Sequence, residues 1–294
     1  MNDFVGYYAL EVTDDALGLT FPLAVLYPSD TPGQAETVGP YRLDVARDAP
    51  PKAGTFPLVL LSYGTGGSGL THRALAHYLA RQGVVVGLPE HPHNNRDDDA
   101  WANTAQNLAA RPRHLQLAID SLFDNPKFAA SLKPNAVGLI GHSLGGYTAL
   151  ALAGGRPTSV PRDSPNGMGQ PIPVPVDVRV KALVLLAPAT PWFLAAGTLR
   201  HVQAPILLLS AEKDEHTPAW HGETVLNGVS NPGAVTHRVV PNAGHFSFLS
   251  PFPTARVSPA FPPSQDPPGF DRAAFHEELN AEVLAFLRQA LGPA

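Results

Sequence analysis

Hydrophobic residues along this chain fall into two kinds of run. Short unbroken runs occur at 57–62 (PLVLLS), 83–88 (GVVVGL), 136–141 (AVGLIG), 181–187 (KALVLLA) and 205–210 (PILLLS). Strands covered on both faces read this way, because neither face needs to be polar. Two more runs, 21–28 (FPLAVLYP) and 234–241 (AVTHRVVP), predict flanking strands. The second kind of run is periodic. Leu115, Ile119, Leu122 and Phe123 recur at helical spacing, as do Phe275, Leu279, Val283 and Leu287. Each set predicts a helix with one apolar face. Strands alternate with helices, so the expected fold class is α/β, a doubly wound and mostly parallel sheet with helices on both faces.

Composition narrows the picture. With 44% hydrophobic residues, 15% charged residues and a formal net charge of −5, the chain reads as an ordinary globular protein. It has no basic block, so nucleic acid is not an expected partner. It has no apolar run long enough to span a bilayer, so no membrane span is expected. Its first residues lack a charged stretch followed by an apolar one, so a cytoplasmic location is expected. Cysteine is absent, which removes disulfides, thiolate metal ligands and cysteine nucleophiles together. The 32 prolines are about twice the usual share. They cluster at 156–176 and 251–269, which read as surface loops inserted in a single domain over 1–294.

The candidate chemistry starts at 141–145 (GHSLG), a G-x-S-x-G placed after a predicted strand and before a predicted helix. That context is what a nucleophile elbow requires. The alternative is a glycine-rich turn with an incidental serine. In an elbow the serine takes a strained backbone conformation, and the residues two before and two after it nearly touch. Gly141 and Gly145 satisfy that demand, and Gly146 lets the next helix approach the sheet. A serine nucleophile needs a base, and the base needs an orienting carboxylate. In chain order the candidates are Ser143, then Asp214 in the loop at 211–218 (AEKDEHTP), then His245 in an A-G-H turn after the last strand. Glu212 and Glu215 are the competing acids, and a plain solvated acidic loop is the third possibility.

Acyl transfer also needs N–H donors for a developing oxyanion. The backbone N–H of Leu144 and of Thr65, in the loop at 61–69 (LSYGTGGSG), are the candidates. That glycine run fits neither the P-loop nor the dinucleotide pattern. The segment at 90–99 (EHPHNNRDDD) places His91 and His93 beside three aspartates. A metal site would need more ligands at set spacings, so no metal is expected, and His91 is read as part of a cleft wall. Trp192 and Phe193 either line a substrate pocket or are buried aromatics. The stretch at 190–203 is too short for a separate cap, which predicts a minimal cap and a fairly open cleft with little charge.

At this point the chain resembles the α/β-hydrolase superfamily, and within it the bacterial dienelactone-hydrolase-like and platelet-activating-factor-acetylhydrolase-like serine esterases. The resemblance spans most of the chain. It rests on LAVLYPSD (23–30), LSYGTGGS (61–68), GLPEHPHNN (87–95), RPRHLQLAID (111–120), GHSLGG (141–146), LLLSAEKDEHTP (207–218), NAGHFSFL (242–249) and DPPGFDRAAFHEELN (266–280). It implies the α/β-hydrolase fold, a Ser143–Asp214–His245 triad, an oxyanion hole at Thr65 and Leu144, no cofactor, and a small ester as substrate. Amidase, thioesterase or acyltransferase chemistry on the same triad stays open, as does a non-catalytic binding role. There are two departures. Relatives carry histidine where this chain has Tyr63, which either braces the loop differently or gives the pocket another hydroxyl. Dienelactone hydrolases proper use a cysteine nucleophile, which this chain lacks.

Overall fold

The continuous apolar runs pair side by side as the centre of one sheet. A computed structural model describes residues 4–163 and 167–292. Residues 164–166 of the proline-rich stretch at 156–176 lie outside the described residues. The strands in chain order are β1 (Phe4–Asp14), β2 (Leu19–Ser29), β3 (Gln34–Val38), β4 (Tyr41–Arg47), β5 (Phe56–Ser62), β6 (Val85–Pro89), β7 (Leu132–His142), β8 (Val180–Leu186), β9 (Ile206–Ala211) and β10 (Val235–Val240). They form one ten-stranded sheet in the order β10-β9-β8-β7-β5-β6-β2-β1-β4-β3. From β10 to β6 the neighbours are all parallel. β2 then pairs antiparallel with β6, and β1 antiparallel with β2.

The helices are α1 (Arg73–Arg81), α2 (Ala105–Asp124), α3 (Leu144–Leu152), α4 (Trp220–Gly228) and α5 (Arg272–Leu291). Leu75 and Leu79 of α1 share one apolar cluster with Leu279, Val283 and Leu287 of α5. Leu115 and Ile119 of α2, Leu150 of α3 and Val225 of α4 belong to the cluster on the opposite face. The sheet is therefore covered on both sides, and every residue of β5 is buried. The expected helical faces are the buried ones: Leu115, Ile119, Leu279, Val283 and Leu287 are all inside. Within α2, Pro112 cannot donate to the Leu108 carbonyl four residues back. The Tyr147 hydroxyl donates to that carbonyl instead, at 3.0 Å.

Three strands were not anticipated. β1, β3 and β4 lie at the outer end of the sheet, where one face meets solvent. Burial alternates along β4 (YRLDVAR) and the second half of β1, and β3 is mostly exposed, so they offer no unbroken apolar run to read.

Chain order places the site. β5 leads to α1 on one face of the sheet, while β7 leads to α3 on the other. β5 and β7 are neighbours, so their connections diverge and open a crevice between them at the carboxyl edge. Open α/β sheets bind ligands at such a switch point. Among the described residues no helix is long and apolar enough to cross a membrane.

Candidate active site

Ser143 sits at that crevice, between the end of β7 and the start of α3, with φ 54° and ψ −120°. A non-glycine residue in this region is strained, and here the strain comes from a very tight turn. The glycines show how tight. A Cβ built on Gly141 would lie 2.2 Å from the Gly145 carbonyl oxygen, and one on Gly145 only 1.8 Å from that of Ser62. One on Gly146 would meet Pro188 at 2.4 Å. Only hydrogen fits at all three positions, so the elbow presses against both neighbouring strand ends. Ser143 is also the residue before the first turn of α3, so the amide end of that helix faces it.

The loop after β9 delivers the acid and the turn after β10 delivers the histidine. His245 Nδ1 lies 2.8 Å from Asp214 Oδ2, and both side chains are buried. Asp214 is further held by the backbone N–H groups of His216 and Thr217, at 2.8 and 2.7 Å, and by the Thr217 hydroxyl at 2.7 Å. Burial works against the Asp214 charge, but these donors and the His245 partner outweigh it and hold the carboxyl well below the usual carboxylate range. A charged Asp214 fixes the His245 tautomer with its proton on Nδ1, leaving Nε2 free to accept a proton. His142, the residue before the serine, is fully buried and kept neutral by that burial. Its Nε2 lies 3.0 Å from the His245 carbonyl oxygen, so it braces the histidine turn. The two competing acids sit elsewhere. Glu212 takes the backbone N–H of Asn242 at 2.6 Å, on the exposed side of the turn, and Glu215 is exposed.

Ser143, His245, Thr65 and Leu144 line one cavity of about 430 Å³. A Cβ on Gly64 would lie 3.0 Å from the Ser143 Cβ, which places the glycine loop against the serine. Neither the Thr65 nor the Leu144 backbone N–H has a hydrogen-bond partner among the described residues. Two unbonded amides beside a strained serine form the geometry in which an oxyanion can be held.

Three expected pocket residues lie elsewhere. Tyr63 and His91 are buried beneath the cavity and do not line it. The Tyr63 hydroxyl accepts from the His91 backbone N–H at 2.6 Å and bonds Glu90. Glu90 in turn takes the Ser68 hydroxyl at 2.5 Å and the Gly69 N–H at 3.0 Å. Tyr63 thus braces the glycine loop from below. Phe193 packs on Tyr147 at 5.5 Å, inside the core. Trp192 does line the cavity, and its indole N–H donates to Asp163 at 2.5 Å.

The cleft is also less bare than the sequence implied. Arg96 and Arg256 line it, and Phe252, Arg256, Phe261 and Pro263 of the proline-rich 251–269 loop form one wall. That loop is pinned by Arg272, which donates to Pro263 O, Gln265 O and Asp266, each at 2.9 Å. Its site-facing aromatics are scattered among prolines, so its sequence pattern carries only the signature of a surface loop.

His91 and His93 do not converge. His91 bonds Ser62 and His114, at 2.9 and 3.3 Å, while His93 bonds the exposed Asp98 at 2.6 Å. Among the described residues no group of three or more His, Asp and Glu side chains could hold a metal. The segment at 90–99 instead supports the glycine loop. Arg96 N donates to Gly67 O at 2.7 Å, and Asn94 Nδ2 to Thr65 Oγ1 at 2.9 Å.

Comparison with solved structures finds the same architecture. A ferulic acid esterase from Streptomyces cinnamoneus superposes with a TM-score of 0.71 at 20% identity, over 99% of this chain and 92% of that one. The chain has the α/β-hydrolase fold. A dienelactone hydrolase from Anabaena variabilis superposes with a TM-score of 0.56 at 18% identity, covering 99% of this chain and all of that one. No protein-family profile matches the chain. No curated protein matches it either. Within this α/β-hydrolase fold, the serine elbow, the acid loop and the histidine turn occupy the ends of β7, β9 and β10, all at one edge of the sheet.

Proposed function

We propose that the chain is a serine hydrolase that cleaves carboxylic esters through an acyl-enzyme. The observation that carries this is the buried 2.8 Å contact between Asp214 and His245 at a cavity that also holds a strained Ser143. His245 Nε2 takes the proton from the Ser143 hydroxyl as Oγ attacks the ester carbonyl. The carbonyl oxygen gains negative charge, which the N–H groups of Thr65 and Leu144 receive. The ester C–O bond breaks, and the alcohol leaves with the proton from His245. Water then repeats the sequence on the acyl-serine and releases the acid. Asp214 supports the imidazolium in both halves without itself becoming protonated.

A cavity of about 430 Å³ walled by Tyr41, Trp192, Phe252 and Phe261 suits a small ester with an apolar or aryl group. The word esterase in the name of one structural neighbour agrees in kind. The test is a panel of p-nitrophenyl esters with matched amides and thioesters, run beside fluorophosphonate labelling. Ester turnover is expected, lost by orders of magnitude in a folded Ser143→Ala variant. Near-normal turnover by that variant would refute the assignment, and preference for the amides or thioesters would change the reaction class.

A further inference from the structure

Among the described residues, the longest side chain that is wholly inside the protein belongs to Arg111, on the apolar face of α2. It is 0% exposed and does not line the cavity. Its hydrogen-bond acceptors are all neutral. Nε donates to Thr148 Oγ1 at 3.1 Å, and Nη1 to Asn94 Oδ1 at 2.6 Å. Nη2 donates to Ser62 Oγ at 3.1 Å and also to the Tyr63 carbonyl. Its guanidinium also lies 5.2 Å from the Tyr63 ring centroid. Burial without a directly bonded carboxylate pushes its pKa down to about 10. Burying a cation this way is costly, and a core is often at least as stable with apolar residues in its place.

Where the bonds lead explains what the cost achieves. Asn94, holding Arg111 with its carbonyl, donates with its amide to Thr65 Oγ1 at 2.9 Å. Thr148, holding Arg111 with its hydroxyl oxygen, donates to the Leu144 carbonyl at 3.0 Å. The bond to Tyr63 O grips the chain two residues before Thr65. One guanidinium therefore reaches, through one intermediary on each side, the two residues whose backbone N–H groups face the candidate oxyanion. Thr65 lies in the loop that runs from β5 to α1 on one face of the sheet, and Leu144 opens α3 on the other. Nothing within either loop alone sets the spacing between them.

Resting on the serine-hydrolase reading, we propose that Arg111 is the positioning residue of the oxyanion hole, locking the Thr65 and Leu144 amides at one spacing. Its planar fork suits the task, since it holds several acceptors in one fixed arrangement. Its charge also stands behind two donors that must face a developing negative charge, which favours the same state. Arg111 touches no substrate, so its effect should fall on the transition state and spare ground-state binding.

The experiment compares wild type, Ser143→Ala, Arg111→Met, Arg111→Lys, Asn94→Ala and Thr65→Val, each checked for fold by near-UV circular dichroism. Readouts are kcat and KM on the best p-nitrophenyl ester, and affinity for a trifluoromethyl ketone that forms a tetrahedral adduct. Arg111→Met is expected to lower kcat by about 100-fold, the scale of a misplaced or lost oxyanion donor. KM should change little, and ketone affinity should fall by the same factor as kcat. Arg111→Lys should restore only part of the loss, because an ammonium cannot fork. Asn94→Ala and Thr65→Val cut the link to one donor without emptying the core, and should each lose about 10-fold in kcat. If Arg111→Met does not fold, these two decide, and unchanged kcat in both would overturn the inference. A folded Arg111→Met with wild-type kcat, or one that loses only KM, would also overturn it. Turnover surviving in Ser143→Ala would overturn the serine-hydrolase reading itself, an outcome distinct from an inactive Ser143→Ala beside a fully active Arg111→Met.

Discussion

Acid should unfold this protein well above the pH at which carboxylates titrate. Among the described residues seven histidines are buried: His245 at the site, His221, which burial pushes down to about 4, and five more, His72, His91, His114, His142 and His276. Burial pushes His72 and His114 down to about 3 and His276 to about 4, and holds His91 and His142 well below the usual value. In the unfolded chain each takes a proton near pH 6.5. A depressed folded pKa means stability that is complete above about 6.5 and lost as pH falls below it. At pH 5.5 an unfolded histidine is about 90% protonated and its folded counterpart almost neutral. That is about 1.2 kcal/mol lost per histidine relative to pH 7, or about 6 kcal/mol for the five. A domain of this kind holds only about 5–15 kcal/mol in total. Other groups act elsewhere. Asp14, Asp177 and Asp214, held below the carboxylate range, withdraw stability only below about pH 4. Glu90, raised by burial, takes its proton earlier in the folded chain and works slightly against the loss. Urea titrations by far-UV circular dichroism at pH 7.0 and 5.5 measure the difference directly. In His276→Gln, which can keep the bond to Ser247 O, the difference should shrink by about 1 kcal/mol. Equal stability at the two pH values would refute the reasoning, because these histidines would then carry charge in the folded chain.

Asp214→Asn is expected to lower kcat by up to about four orders of magnitude by supporting the wrong His245 tautomer. Glu212→Gln, which alters only the exposed bond to Asn242, should leave turnover intact, and steady-state rates for the pair decide between the acids. Gly145→Ala would force a Cβ to within 1.8 Å of the Ser62 oxygen and should cost upwards of about 3 kcal/mol, read as thermal midpoint or lost solubility. Gly18→Ala, at φ 63° in open space, should cost only about 1–2 kcal/mol. Dialysis against EDTA should leave ester turnover unchanged from pH 7 to 9 under the amide-based oxyanion hole, and loss restored by zinc or manganese would overturn that mechanism.

The central sheet was legible because β5 to β9 are buried on both faces, and that burial writes itself as unbroken apolar runs. The outer strands β1, β3 and β4 were not, because half of their residues face water. Gly141 and Gly145 were readable as elbow glycines because the steric demand is local, spanning two residues either side of Ser143. Asp214 could be preferred from its place after a strand, but only the fold puts it 2.8 Å from His245, 31 residues away, and turns Glu212 outward. Tyr63 and His91 looked like cleft residues because they border the glycine loop and the 90–99 loop. In the fold they lie under those loops, and sequence adjacency carries no sign of which side of a loop faces the cavity. Arg111 left a faint trace, a lone cation on the helical face shared by Leu108 and Leu115. Its partners Asn94, Ser62, Tyr63 and Thr148 come from the ends of other elements. Local sterics and periodic burial are properties of neighbouring residues, so the sequence alone determined the sheet's core, the apolar faces of α2 and α5 and the serine turn. Which side chains meet across the crevice depends on strand order and on helices leaving opposite faces, and only the tertiary structure decided that.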